Sequence, residues 1–187
     1  MIVVLVEGSG DKRALPILAR RDGKNTPIRP IDTKGKSNLV RHNRGFEDTV
    51  RRQHALGGRT FIVLMDGDVT SAPYQSVEEE KRDMRRRARS LTQELQAPVR
   101  VHWAILEMES WLIGGIQSES TYCGLRQVGR VPDNTETAPS DPKRWLEEHL
   151  VSGEYSPKTQ ECLACRIEVQ EATRRNRSML DFSDTVE

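Results

Sequence analysis

Short apolar runs alternate with charged stretches of helical period along this chain. Residues 2–6, Ile-Val-Val-Leu-Val, form an uninterrupted apolar run that stops at Glu7-Gly8. A run this short, without polar alternation, predicts a strand buried on both faces. Leu15, Leu18 and Ala19 then recur at helical spacing, predicting a helix to about residue 21 with Ser9 or Asp11 as its cap. Pro16 falls in its first turns, where a missing N–H is tolerated. Residues 22–27 read as a turn and 28–31 as a second, weaker strand. Leu39, Phe46 and Val50 predict one helix opened by Lys34-Gly35-Lys36-Ser37 and closed by Gly57-Gly58. The strongest strand, 61–65, runs directly into Asp66-Gly67-Asp68.

A loop over 69–75 carries Pro73, and a highly charged helix over 78–96 follows. Its apolar stripe is narrow (Met84, Ala88, Leu91, Leu95), and Glu78 stands within pairing distance of Lys81 or Arg82. Pro98 ends it, 99–106 is the next strand, and a short helix begins near Glu107. Strands alternating with helices predict an α/β fold, a parallel sheet flanked by helices. Residues 118–139 turn polar and rich in Thr, Asn, Gly and Pro, which predicts a long loop. Helices are expected over 141–150 and 157–174, with the last dozen residues loosely packed. The expected organisation is a core over 1–117, with a polar loop and small helical C-terminal extension, 118–187, packed on it.

Composition narrows the function. A chain of 187 residues, 35% hydrophobic and 30% charged with mean hydropathy −0.66, makes one modest core under a charged surface. The net charge of +1 excludes a molecule-wide attraction to polyanions. Two local basic regions remain: Lys34, Lys36, Arg41, Arg44, Arg51 and Arg52, and then Lys81, Arg82, Arg85, Arg86, Arg87 and Arg89. Either could track phosphates or be a solvated helix face. Three cysteines form an odd set without a disulfide framework, and Cys162-x-x-Cys165 reads as packing because a zinc site wants four ligands. No apolar run approaches membrane-spanning length and no secretory pattern opens the chain, so the expected setting is cytoplasmic, away from membrane.

Open parallel sheets bind ligands beyond the carboxyl ends of their strands. Glu7 follows the first strand, Asp66 and Asp68 the strongest one, and Glu107 and Glu109 the last. The spacing of two in each pair puts both side chains on one side if the backbone stays extended. Converging carboxylates repel unless a cation compensates, and hard oxygen ligands suit Mg²⁺ or Mn²⁺. Glu7, Asp66, Asp68 and Glu109, or less favourably Glu107 in its place, form the candidate metal site.

The ordered combination of Val6-Glu7-Gly8 before a helix and an apolar strand ending Asp66-Gly67-Asp68 resembles the Toprim domain of topoisomerases, primases and OLD-family nucleases. The chain is also similar to a family of small bacterial Toprim-like proteins found near ATPase genes and in defence loci. That likeness lies in Ile105-Leu106-Glu107-Met108-Glu109-Ser110-Trp111-Leu112, Asp141-Pro142-Lys143, Tyr155 with Lys158, and Arg177-Ser178-Met179 before Phe182. Ser110 stands where the family more often has Ala, and the stretch from 118 to 140 is less familiar. The resemblance implies a Toprim-like, Rossmannoid sheet in which Asp66 and Asp68 ligate metal. It implies that Glu7 ligates metal or manages a proton, and that Glu109 completes the site. It implies a metal-dependent nuclease acting on DNA or RNA in anti-phage defence, working with an AAA- or ABC-type ATPase. Lys143 or Lys158 would supply positive charge to the transition state. A catalytically silent Toprim-like subunit of an ATPase complex is the alternative, and hydrolysis of a small phosphate ester a third reading.

Other motifs carry less. Gly35-Lys36-Ser37 lacks the leading glycine of a phosphate-binding loop, because Pro30 holds that place. Gly8-Ser9-Gly10 is too sparse for a dinucleotide fingerprint. His42, His54 and His102 show no ligand spacing, and Trp103, Trp111 and Trp145 read as core or apolar-face residues.

Overall fold

The computed structural model describes residues 1–23, 27–41, 45–67, 70 and 72–186. Its centre is a four-stranded, all-parallel sheet of order β2-β1-β3-β4. The strands are β1 (Ile2–Val6), β2 (Ile28–Asp32), β3 (Thr60–Asp66) and β4 (Val99–Ala104). Alternate residues of the apolar runs feed two cores. Ile2, Val4, Val6, Ile62 and Leu64 face one, and Val3, Leu5, Phe61, Val63 and Met65 the other. Burial on both faces is why these strands read as unbroken apolar runs.

Helices cover each face. The first core is roofed by α1 (Ser9–Arg21), α5 (Met108–Gly114), α6 (Pro142–His149), α7 (Pro157–Arg166), α8 (Val169–Arg175) and α9 (Arg177–Thr185). The second is roofed by α2 (Lys36–Val40), α3 (Phe46–Ala55) and α4 (Val77–Leu95). The chain steps from β1 out to β2, then returns across β1 to reach β3. The order therefore reverses between β1 and β3, which opens a crevice at their carboxyl ends. β2 is an edge strand with Pro30 at its centre, opposite Val4.

Several expectations are corrected. The helix expected from residue 36 to 56 is two, α2 and α3, while His42 and Arg44 lie outside the described residues, as do parts of the turn at 22–27 and the loop at 69–75. The helix expected over 157–174 is also two. Ile167 between them is extended (ψ 159) and fully buried, and the Glu168 amide donates to the Gly115 carbonyl at 2.8 Å. A tertiary contact thus interrupts a sequence that carries no Pro or Gly there. β4 stops at Ala104, two residues early, because Leu106 takes a positive φ of 64°. For a bulky side chain that conformation is costly. Among the described residues, 118–139 holds one 3₁₀ turn, Tyr122–Gly124, yet Leu125, Val128 and Val131 are buried.

Cys123 is bonded to Cys162, against the expectation that the cysteines only pack. The two are 39 residues apart and meet because the 3₁₀ turn lies against α7; Cys165 is a free, exposed thiol. Among the described residues no helix is long and apolar enough to cross a membrane.

The C-terminal dozen residues, expected to be loose, are tied down. Asn176 is fully buried, and its side chain donates to Ser110 Oγ (3.0 Å) and Thr135 Oγ1 (3.1 Å) while accepting from Ser178 Oγ (2.8 Å) and the Met179 amide (3.1 Å). Ser178 Oγ accepts from Trp111 Nε1 at 2.9 Å, and Phe182 packs against the Trp111 ring. Asn176→Ala removes a helix cap and leaves buried polar partners unmatched, so a loss of about 2 kcal/mol is expected in urea unfolding.

Candidate functional site

Two backbone contacts set the geometry where β1 and β3 end side by side. The Asp66 amide donates to Glu7 Oε1 at 2.8 Å, locking the two strand ends together through the carboxylate. The Gly67 amide donates to the carbonyls of Ala104 (2.7 Å) and Leu106 (3.1 Å). A Cβ at Gly67 would lie 3.0 Å from the Ala104 oxygen, so the close approach of β4 favours a residue without a side chain there.

Two helix N-termini point into the same crevice. Asp11, in the first turn of α1, accepts from the Gly8 amide (3.2 Å) and from Gln160 Nε2 of α7 (2.8 Å). At the start of α5, the Met108 amide donates to Asp66 Oδ1 at 3.3 Å, and Glu109 sits in the first turn. The positive ends of these helices offset part of the negative charge they face.

The offset is incomplete. Burial, and then the charges of Glu7, Asp11, Glu109 and Glu107, push the Asp66 carboxyl well above its ordinary range. Burial, followed by Asp11 and Glu107, pushes Glu109 up to about 7, with Lys143 pulling weakly the other way. Asp11 is raised by burial against the pull of its hydrogen bonds from Gln160 and Gly8. Tyr155 lies against Glu109 and Asp11, and burial and those carboxylates push its phenol up, so it keeps its proton.

Glu7, Glu107 and Glu109 thus lie near enough to Asp66 for their charges to act on it. The side-by-side reading of Glu107 and Glu109 on a strand is corrected: β4 has ended, Glu107 is the N-cap of α5 and Glu109 lies within the helix. Asp68 lies outside the described residues. Lys143, exposed at the start of α6, is near enough for its charge to act on Glu109. Lys158 is exposed on α7 and makes no ion pair among the described residues. Ser110, the departure from the related pattern, is buried and accepts from Asn176 while donating to backbone carbonyls at the start of α5.

Sequence reasoning read Asp11 only as a cap and passed over Gln160. The signal for Asp11 was its place four residues before Leu15, on the buried face of α1. Lys36, read as part of a basic region, is instead half of a buried pair with Glu80, a residue the sequence did not single out. Glu80 is fully buried and pairs with Lys36 at 3.0 Å, while Lys36 Nζ donates to the Asp66 carbonyl at 2.7 Å. Glu80 precedes Met84 by four residues, which places it on the apolar stripe of α4. Much of the first basic region is thus structural, with Arg51 bonded to Glu94 (2.8 Å). In the second region, Arg87 is held by Glu47 and by the Val40 and Arg41 carbonyls.

The donor atoms are all oxygens, as a hard divalent cation requires, and their crowding is the condition such an ion relieves. Among the described residues no group of three or more His, Cys, Asp or Glu side chains is placed so as to hold a metal ion. No protein-family model, no curated protein and no solved structure matches the chain.

Proposed function

We propose that the chain is a metal-dependent phosphodiester hydrolase of the Toprim-like type that cleaves nucleic acid. The observation that carries this reading is the convergence of Glu7, Asp11, Asp66, Glu107 and Glu109 in the crevice where the strand order reverses. The mutual repulsion that raises the Asp66 and Glu109 carboxyls is what a divalent cation between them would relieve.

Asp66 and Glu109, with Asp68 from the sequence pattern, are the residues that would hold Mg²⁺ or Mn²⁺. Such an ion neutralises a phosphate and supplies an activated water at neutral pH. Glu7 holds the end of β3 in place through the Asp66 amide. Glu109, poised near neutrality, suits proton transfer, and the protonated Tyr155 hydroxyl is a donor beside it. Lys143 adds positive charge at the rim.

The test is cleavage of plasmid, single-stranded DNA and tRNA with Mg²⁺ or Mn²⁺, comparing wild type with Asp66→Asn. Asparagine keeps the acceptor for the Met108 amide, so the fold should survive. A loss of at least about a hundredfold is expected, the scale on which removing one electrostatic group from a transition state acts. Metal-dependent cleavage that persists in the variant moves the chemistry elsewhere. No cleavage by well-folded wild type favours instead a Toprim-like module that works only within an ATPase complex.

A further inference from the structure

The exposed face of α4 carries four arginines in one row. Arg82, Arg85, Arg86 and Arg89 are all exposed and stand at relative positions 0, 3, 4 and 7, a single stripe opposite the buried Met84, Ala88 and Leu91. Like charges at these spacings repel and cost helix stability. Elsewhere some arginines are matched with acids, as Arg13 is with Glu161 and Arg51 with Glu94, while Arg29, Arg59, Arg100 and Arg126 are exposed without an ion pair among the described residues but do not stand in a row. Along the stripe, among the described residues, Arg86 alone has an acidic partner, Asp83. Arg85 lies over the Trp103 ring at 4.9 Å, and neither Arg82 nor Arg89 has an acidic partner among the described residues.

Open space lies on both sides of the row. One flank is a groove of about 880 Å³ lined by Arg82, Arg86 and Arg89 together with Tyr74 and the acidic Glu79 and Asp83, of which Asp83 is paired with Arg86. The other, about 320 Å³, is lined by Arg85, Arg89, Arg100 and His102. We propose that this face of α4 is a docking surface for the phosphate backbone of double-stranded nucleic acid.

The chemistry selects that occupant. At about 1.5 Å per residue the row is roughly 10 Å long, and at about 3.4 Å per nucleotide along a duplex strand it spans about three phosphates. Single-strand binders add aromatic platforms for stacked bases. Here Trp103 is buried, and among the described residues Tyr74 is the single aromatic ring lining the groove, where a run of stacked bases would need several. The large apolar side chains exposed among the described residues, Met1, Leu56, Ile105 and Val151, lie off α4, so nothing on it inserts into a lipid surface.

The row also leads to the carboxylates. Glu80, two residues before Arg82, is bonded to Lys36, and Lys36 to the Asp66 carbonyl. The N-terminal end of α4 therefore lies near the end of β3, and the row of arginines runs toward that end. In this last step the inference rests on the hydrolase reading, for which it names the substrate class; the docking itself does not.

The experiment is fluorescence anisotropy of an about 20-base-pair duplex and its single strand, with EDTA present, from about 50 to 200 mM salt. Wild type should prefer the duplex, with log K falling against log salt at a slope of about −3 to −4. Arg82→Gln/Arg89→Gln should weaken binding about tenfold or more at 100 mM salt and flatten the slope by about 2. Arg130→Gln/Arg144→Gln, far from α4 in sequence, should change neither. Equal binding by the α4 variant, a preference for the single strand, or binding of anionic vesicles or acidic protein in place of the duplex overturns the proposal. Duplex binding without cleavage after metal is added retires the hydrolase reading alone. Metal-dependent cleavage with an unaltered KM in the α4 variant retires the docking surface alone.

Discussion

Reduction of the Cys123–Cys162 bond is expected to destabilise the protein by about 4 kcal/mol. The bond closes a segment spanning 39 residues, and the chain-entropy relation for a loop of that length gives about 4 kcal/mol at 25 °C. The closed segment contains the polar stretch and α6, whose few buried apolar residues (Leu125, Val128, Val131, Leu146) give it little independent reason to fold. The bond also fastens α7, which carries Gln160 onto Asp11 and packs against α1 so closely that a Cβ at Gly10 would fall 1.7 Å from Gln160 Oε1. Urea unfolding of oxidised protein and of Cys123→Ser/Cys162→Ser, both with Cys165→Ser to prevent exchange, reads the difference directly. Equal midpoints would mean that the bond does not form in solution.

Glu109→Gln is expected to make the metal-free protein more stable at pH 8, by about 3 kcal/mol. The Glu109 carboxyl lies at about 7 in the fold against an ordinary 4.5, so the folded state binds its proton more tightly than the unfolded chain. Stability from this group is complete below about pH 4.5 and is lost as pH rises through about 7. A displacement of roughly 2.5 pH units corresponds to about 3 kcal/mol. Asp66 and Asp11 are raised in the same sense, so wild type should gain stability steadily from pH 8 to 5. In Glu109→Gln that slope should shrink. Adding Mg²⁺ at pH 8 should stabilise wild type far more than the variant. A wild-type melting temperature that is flat between pH 5 and 8 would show that the carboxylates are not crowded as described.

The sheet was the most legible part of this molecule, because strands buried on both faces leave a pattern that owes nothing to neighbours. Residues 2–6 and 61–65 could be read directly, and Glu7 and Asp66 followed from where those runs stop. What the sequence hid was set by tertiary contact. Ile167 breaks a helix to reach Gly115, and Leu106 ends a strand by a backbone twist that no residue type announces. Asp11 read only as a cap, Lys36 only as part of a basic region, and Glu80 carried no signal of its own. Their burial became evident only once α1 and α4 were laid on opposite faces of one sheet, although the four-residue spacings to Leu15 and Met84 held a hint. Leu125, Val128 and Val131 lay too far apart among polar residues to announce a packed segment.

Pro30 has a consequence for how copies of this protein can meet. Ile2 donates to the Pro27 carbonyl at one end of the β1–β2 ladder and Thr33 donates to the Val6 carbonyl at the other. Alternation between those two bonds turns the backbone groups of Arg29 and Ile31 toward β1, and those of Ile28, Pro30 and Asp32 outward. The missing N–H of Pro30 therefore falls at the middle of the open margin. A strand from another molecule aligned there would find no donor at its central rung, so growth by adding strands, the route to fibres, is blocked at that margin.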